Sequence, residues 1–164
     1  MLIIFDLDNT LYDRSGQLPD SYTEEQLQGI TAFPGVKKFL SSFPGKKVLV
    51  THESVLGLQD KKIKVLGLRE FFDKIFICNT NEAKKGCFQE ALSLFPESEM
   101  WVVGDRIDAE IRWGNELGMK TVLLAHGNYR NLNAKKETEF PHYIITRFSD
   151  FPKLLENFMK SSDK

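Results

Sequence analysis

Cysteine is scarce in this chain: there are two in 164 residues, Cys78 and Cys87. They form no CxxC pair and have no neighbouring histidine pair, so neither a disulfide nor a structural zinc site has the expected spacing. Histidine is almost as rare, and His52, His126 and His142 stand singly. Scattered in this way, they read as structural or surface imidazoles rather than as a metal-ligating set. Long hydrophobic runs are missing as well. The stretch Met1 to Phe5 is apolar, has no basic leader and meets Asp6 at once, too short for a signal-peptide core or a membrane span. An excess of one charge is also absent, since 22 Lys and Arg face 23 Asp and Glu for a net charge of −1. That balance argues against a dedicated electrostatic binder of nucleic acid or membrane. The lysine pairs at 37–38, 46–47, 61–62 and 135–136 alternate with acids and read as ordinary solvated surface. The absences together predict a soluble, cytoplasmic protein of a reducing compartment, without a membrane or nucleic-acid partner.

What is present is a chain of ordinary globular composition, 41% hydrophobic and 27% charged. A chain of this length buries roughly two-thirds of its unfolded surface without a staple, and the expectation is one domain over 1–164. Leu2 to Phe5 is a continuous apolar run ended by acidic and turn-forming residues, the signature of a strand buried on both faces of a parallel sheet. It recurs at Val48 to Val50, Ile75 to Ile77, Trp101 to Val103 and Thr121 to Leu124, and more weakly at Tyr143 to Ile145. Between these runs apolar residues recur at helical spacing: Val36, Phe39, Leu40 and Phe43; Leu56, Leu58, Ile63, Val65 and Leu66; Phe88, Ala91, Leu92 and Phe95; Ile107, Ile111, Gly114 and Leu117; Phe151, Leu154, Leu155 and Phe158. Alternation of this kind predicts a three-layer α/β/α, Rossmann-like fold around a central parallel sheet. Asp13 to Phe33 interrupts it with a polar, turn-rich segment in which Ser21 or Thr23 caps one short helix. The tail from Ser161 to Lys164 is expected to fray.

In such sheets ligands bind beyond the carboxyl ends of the strands. The first strand ends in Asp6-Leu7-Asp8-Asn9-Thr10, whose two carboxylates repel each other without a cation. The second ends at Thr51, a hydroxyl on the same rim. The fourth ends in Gly104-Asp105 and is followed by Asp108 and Glu110. Lys84 and Lys85 stand at a helix start, where the macrodipole disfavours a cation, so one of them has reason to face an anion. Carboxylates, a hydroxyl and a lysine on one rim describe a magnesium site beside an anion site.

The chain resembles the haloacid dehalogenase (HAD) superfamily. Asp6-Leu7-Asp8-Asn9-Thr10 resembles its DxDxT motif, Val48-Leu49-Val50-Thr51 its second motif, Lys84 or Lys85 ahead of Phe88 and Ala91-Leu92 its third, and Val102-Val103-Gly104-Asp105 with Asp108 and Glu110 its fourth. Glu116 to Thr121 is similar to the family's continuation into the fifth strand. The resemblance implies a Mg²⁺-dependent phosphatase acting through an aspartyl-phosphate, with a phosphotransferase, phosphomutase or non-catalytic binding protein as the alternatives. It makes Asp6 the nucleophile, Asp8 the acid and base, and Thr51 and Lys84 the phosphoryl-binding groups. Asn9, His52 and Lys85 become candidate substrate contacts, and Asp6, Asp8, Asp105 and Glu110 the Mg²⁺ set. Lys84 is preferred to Lys85, and Glu110 to Asp108. Asp8 favours the phosphatase branch, because dehalogenases lack a carboxyl there. Phe33-Pro34-Gly35-Val36 resembles the helix after a first-position cap, leaving residues 13–32 as a short loop or vestigial cap. The resemblance further implies a phosphorylated small molecule or macromolecule as substrate, and a monomer or homo-oligomer.

Overall fold

A computed structural model describes residues 1–162. The strands are β1 (Leu2–Phe5), β2 (Lys46–His52), β3 (Lys74–Cys78), β4 (Met100–Gly104), β5 (Lys120–Leu124) and β6 (Tyr143–Ile145). They form one parallel sheet in the order β3-β2-β1-β4-β5-β6. The chain winds outward from β1 to β3, then returns past β1 to β4 and winds outward again. Phe5 is therefore paired with Leu49 on one side and Val103 on the other, and the winding reverses between β1 and β4. An open α/β sheet forms its ligand crevice at such a reversal.

Side chains alternate between the faces of a strand, and β1 divides its four buried residues accordingly. Ile3 and Phe5 pack with Phe39, Leu40, Ile63, Phe151 and Leu155. These come from α3 (Val36–Ser42), α4 (Leu58–Val65) and α7 (Asp150–Ser162). Leu2 and Ile4 pack on the other face with Phe88, Ala91 and Trp113, from α5 (Ala83–Leu94) and α6 (Arg112–Glu116). The first face is dense in aromatic rings: Phe5 meets Phe39 at 6.2 Å and Phe151 at 6.0 Å, both edge to face. Removing a ring such as Phe5 would cost about 3–5 kcal/mol. On the second face Gly114 lets α6 close onto the sheet, since a Cβ there would stand 2.4 Å from Val102 Cγ1.

Three local features differ from the sequence reading. The single helix expected from Ile107 to Leu117 is a π-helical turn over Ile107–Ile111 running into α6. The wider turn buries Ala109, Glu110 and Ile111 in succession, which a 3.6-residue period does not do. The segment after β1 holds two short helices, α1 (Arg14–Gln17) and α2 (Glu24–Gln28). Thr23 caps the second with a reciprocal bond to Gln26, and Asp13 caps the first, which the sequence reading missed. Buried Leu18, Leu27 and Ile30 anchor this segment to the core. Finally, the cysteine spacing does not keep the two thiols apart. Cys78 ends β3 and Cys87 lies in the first turns of α5, and the connection between them brings the free thiol sulfurs to 2.9 Å. Burial and the Cys87 thiol push Cys78 up to about 12.

Helix α7 includes Ser161 and Ser162, while the rest of the tail expected to fray, residues 163–164, lies outside the described residues. Among the described residues no helix is long and apolar enough to cross a membrane.

Candidate active site

The crevice at the carboxyl ends of β1 and β4 is a cavity of about 230 Å³. Asp6, Asp8, Asn9, Thr51, His52, Lys84, Asp105 and Glu110 all line it, so residues spread over most of the sequence meet on one rim. The β1–β4 ladder runs one residue past β1, because the Asp6 N–H donates to the Val103 carbonyl at 3.0 Å. That bond sets the Asp6 carboxylate beside the end of β4, where Asp105 emerges.

One wall of the cavity is crowded with acid. Lys84 Nζ donates to Asp6 Oδ1 at 2.7 Å and to Glu110 Oε1 at 2.5 Å, and all three side chains are buried. Burial raises the Asp6 pKa, the Lys84 ammonium pulls it back, and Glu110 adds to the rise, leaving Asp6 at about 7. Burial, Asp6 and Glu110 hold Asp105 well above the usual carboxylate range. Burial alone would lower Lys84, but the attraction of Asp6 and Glu110 outweighs it, and the lysine is held above its ordinary value. Glu110 Oε2 is buried without a donor among the described residues. Gly104 allows the turn carrying Glu110 to approach β4, since a Cβ on it would lie 2.6 Å from Glu110 Cβ.

This wall fits a hard divalent cation. Three buried carboxylates face one ammonium, one carboxylate oxygen has no donor, and every candidate ligand atom is oxygen. Among the described residues no group of three or more His, Cys, Asp or Glu side chains is arranged to hold a metal ion by itself. Mg²⁺ does not require one, because it is usually held by one or two carboxylates together with water and substrate oxygens.

The opposite wall is rich in donors. Asp8 Oδ1 accepts from the Tyr12 hydroxyl at 2.6 Å and from Lys62 Nζ at 2.8 Å, and Oδ2 accepts from Gln59 Nε2 at 2.9 Å. Burial raises the Asp8 pKa, but Lys62 and the three hydrogen bonds outweigh it and hold the carboxyl below its usual range. The same Gln59 amide donates to Thr51 Oγ1 at 2.6 Å. Glu53 builds the turn that aims α4 at the site by accepting from the N–H groups of Gly57 and Gln59, both at 3.1 Å.

The remaining sequence candidates divide between cavity and surface. Asn9 is buried in a left-handed conformation at φ 57°. Its Oδ1 accepts from the Ser15 N–H at 2.9 Å, so it shapes the loop after β1. Thr10 is buried below it and its hydroxyl reaches Asp6 Oδ2 at 3.5 Å. His52 faces the cavity, held below its ordinary pKa first by burial and then by Lys84 and Arg106. Lys85 points away: it pairs with Glu116 at 2.6 Å on the surface and does not line the cavity. Asp108 pairs with Arg106 through two bonds of 3.0 Å. The Arg106 guanidinium also lies 4.3 Å over the Tyr129 ring.

Sequence reasoning missed Gln59, Lys62, Arg106 and the bond from Tyr12 to Asp8. A signal for two of them exists. Leu58, Lys62 and Leu66 recur at four-residue spacing, so Lys62 occupies a position on the apolar stripe of α4, and Gln59 shares it with Ile63. Polar residues on a buried stripe need partners.

The sheet order and its winding are those of the haloacid dehalogenase-like fold, and the chain is similar to proteins of that family. A family model described as HAD-hydrolase-like matches residues 82–151. The chain is similar to a glyceraldehyde 3-phosphate phosphatase of Pyrococcus furiosus, 36% identical over 104 residues, covering 60% of this chain and 41% of the relative. A phosphatase of the same name from Methanopyrus kandleri is 33% identical over 95 residues, covering 54% of this chain and 40% of that protein. The chain thus spans about two-fifths of the length of these curated relatives. Among solved structures, the magnesium-bound HAD-hydrolase YfnB of Bacillus subtilis shares the fold with a TM-score of 0.71 and 16% identity, over 94% of this chain and 97% of that one.

Proposed function

We propose that the protein is a Mg²⁺-dependent phosphatase that hydrolyses a small phosphomonoester through an aspartyl-phosphate on Asp6. The observation that carries this reading is Asp6 itself, a buried carboxylate held at 2.7 Å by Lys84, with Asp8 on the same cavity. In the first half-reaction an Asp6 oxygen attacks phosphorus, the bond to the ester oxygen breaks, and Asp8 gives that oxygen a proton. In the second, water attacks the phosphorus of the acyl phosphate and its proton goes to Asp8. Inorganic phosphate leaves and the Asp6 carboxylate is restored. The covalent intermediate splits one difficult displacement into two easier ones, and one acid/base group serves both halves.

Lys84 and Thr51 bind the phosphoryl oxygens, supplying the positioning and charge stabilisation that dominate phosphoryl transfer. Asn9 shapes the loop beneath the phosphate, and His52 and Arg106 border the leaving group. Asp6, Asp105 and the main-chain carbonyl of Asp8 would hold Mg²⁺, with Glu110 beside it, and the ion would neutralise the crowded carboxylates and polarise the phosphoryl group. Two features support a small substrate: the cavity of about 230 Å³ and the relatives' name, glyceraldehyde 3-phosphate phosphatase. The free thiols fit a reducing, cytoplasmic setting.

The test is phosphate release from a panel of small phosphomonoesters, glyceraldehyde 3-phosphate among them, with Mg²⁺ and with EDTA. Turnover that needs Mg²⁺ and disappears in Asp6→Asn is expected. A folded wild-type protein that releases phosphate from none of them overturns the reading.

A further inference from the structure

Three side chains converge on the Asp8 carboxylate. Its Oδ1 takes two donors, Tyr12 at 2.6 Å and Lys62 at 2.8 Å, and its Oδ2 takes one, Gln59 at 2.9 Å. A carboxylate oxygen accepts through two lone pairs. Among the described residues, then, Oδ1 is saturated and Oδ2 keeps one lone pair for another partner. The Asp8 side chain is 31% exposed while Lys62 is 4% exposed, so the open side of the carboxylate faces the cavity and the anchoring side faces the protein.

The anchors come from far along the chain. Gln59 and Lys62 lie one turn apart on α4, 51 and 54 residues from Asp8. The Gln59 amide also binds Thr51 Oγ1 at 2.6 Å, which keys the acid to the hydroxyl proposed to hold the phosphoryl group.

We propose that Lys62 and Gln59 are positioning residues that fix Asp8 so that Oδ2 alone exchanges the proton with the leaving oxygen and then with water. The inference rests on the reading of Asp8 as acid and base. Its chemistry adds no new step: the proton given by Oδ2 goes to the ester oxygen as the phosphorus–oxygen bond breaks, and the same oxygen recovers a proton from the attacking water. The role of α4 is aim, and misplacing a reacting group by about 1 Å can cost on the order of a hundredfold in rate.

Aim can be separated from general damage by the leaving group. Glycerol 1-phosphate expels an alkoxide that needs the proton, whereas p-nitrophenyl phosphate expels a phenolate that leaves without one. The experiment measures kcat and KM for both esters in wild type, Lys62→Met, Gln59→Leu, Lys62→Arg, Asp8→Asn and the Asp8→Asn/Lys62→Met double variant, with far-UV circular dichroism to select folded proteins. Asp8→Asn is expected to lower kcat/KM for the alkyl ester about 10²-fold or more, and that for the aryl ester much less, because kcat/KM covers only the steps up to departure of the ester oxygen. Lys62→Met and Gln59→Leu are expected to lower the alkyl-to-aryl ratio of kcat/KM about tenfold, with Lys62→Arg recovering part of it. In the double variant the ratio stays where Asp8→Asn puts it.

Equal losses on both esters in folded Lys62→Met and Gln59→Leu overturn the proposal, as does a further drop of the ratio in the double variant. Should Lys62→Met not fold, Gln59→Leu and Lys62→Arg decide by the same ratio. A ratio unmoved by Asp8→Asn instead overturns the acid role of Asp8 and the inference with it, and is thereby distinguishable from a failure of the anchors alone.

Discussion

Asp6 and Asp8 are two residues apart in the chain and lie in opposite electrical surroundings. Around Asp6, three buried carboxylates share the single ammonium of Lys84, and one oxygen of Glu110 has no donor among the described residues. Around Asp8, one half-exposed carboxylate is met by an ammonium, a hydroxyl and an amide. The first wall carries an excess of negative charge that protein groups do not balance; the second is balanced by the fold itself. The consequence is a pair of carboxyls pushed apart in pKa, Asp6 up to about 7 and Asp8 below its usual range. The contrast assigns the folding chain two distinct tasks: to leave one wall short of cations, and to complete the other from a distant helix.

The comparison can be broken most sharply by removing each lysine. Lys84→Met would leave Asp6, Asp105 and Glu110 buried without a counter-charge, and the expected loss is about 3–5 kcal/mol of stability. Lys62→Met leaves Asp8 with two donors and access to water, and should cost about 1–2 kcal/mol. Urea midpoints of the two variants decide the matter, and equal losses would mean that the walls are not different in kind.

A cation should matter to one wall only. Mg²⁺ at about a hundred times its dissociation constant stabilises a binding-competent fold by ~2.7 kcal/mol, which corresponds to a rise in Tm of roughly 5–10 °C in a chain of this size. Thermal melts should show that rise in wild type and in Lys62→Met, and its loss in Asp105→Asn.

The acid wall also predicts a pH dependence in EDTA. Asp6 in the folded protein titrates at about 7 against 3.8 for its ordinary value. Between those values the folded state binds more protons than the unfolded one, so stability falls as pH rises through this window. The Asp6 contribution is fully present below about pH 4 and is lost as the pH rises through about 7. Stability measured from pH 4 to 8 should fall less in Asp6→Asn than in wild type, and an identical slope in both would remove Asp6 from the crowded set. The smallest effect is expected at Lys85, whose pairing with Glu116 is exposed. Lys85→Ala should change stability by no more than about 0.5 kcal/mol and leave the urea midpoint where it was.

Much of the architecture was legible because buried parallel strands must be apolar on both faces. Continuous runs such as Leu2 to Phe5 and Trp101 to Val103 therefore announce themselves, and the acids that stop them fall on the ligand-binding edge. The dipole argument at the start of α5 asked for an anionic partner, and the structure supplies Asp6 and Glu110 to Lys84. The choice between Lys84 and Lys85 was a different matter. Adjacent helical residues point about 100° apart, and only the packing of α5 decides which one turns inward. Glu110 and Asp108 were likewise separated by the π turn, a local widening that the periodic pattern of Ile107, Ile111 and Gly114 does not announce.

The sequence by itself determined the sheet, the alternation of elements and the acids and hydroxyl on its rim, since these follow from local runs, turns and charge. Only the tertiary structure decided how those groups are paired. The anchoring of Asp8 by Gln59 and Lys62, the sharing of Lys84 between Asp6 and Glu110, and the meeting of Cys78 with Cys87 all depend on how helices pack across strands. A hydrogen bond depends on tenths of an ångström and on direction, and neither is written in the spacing of residues along a chain.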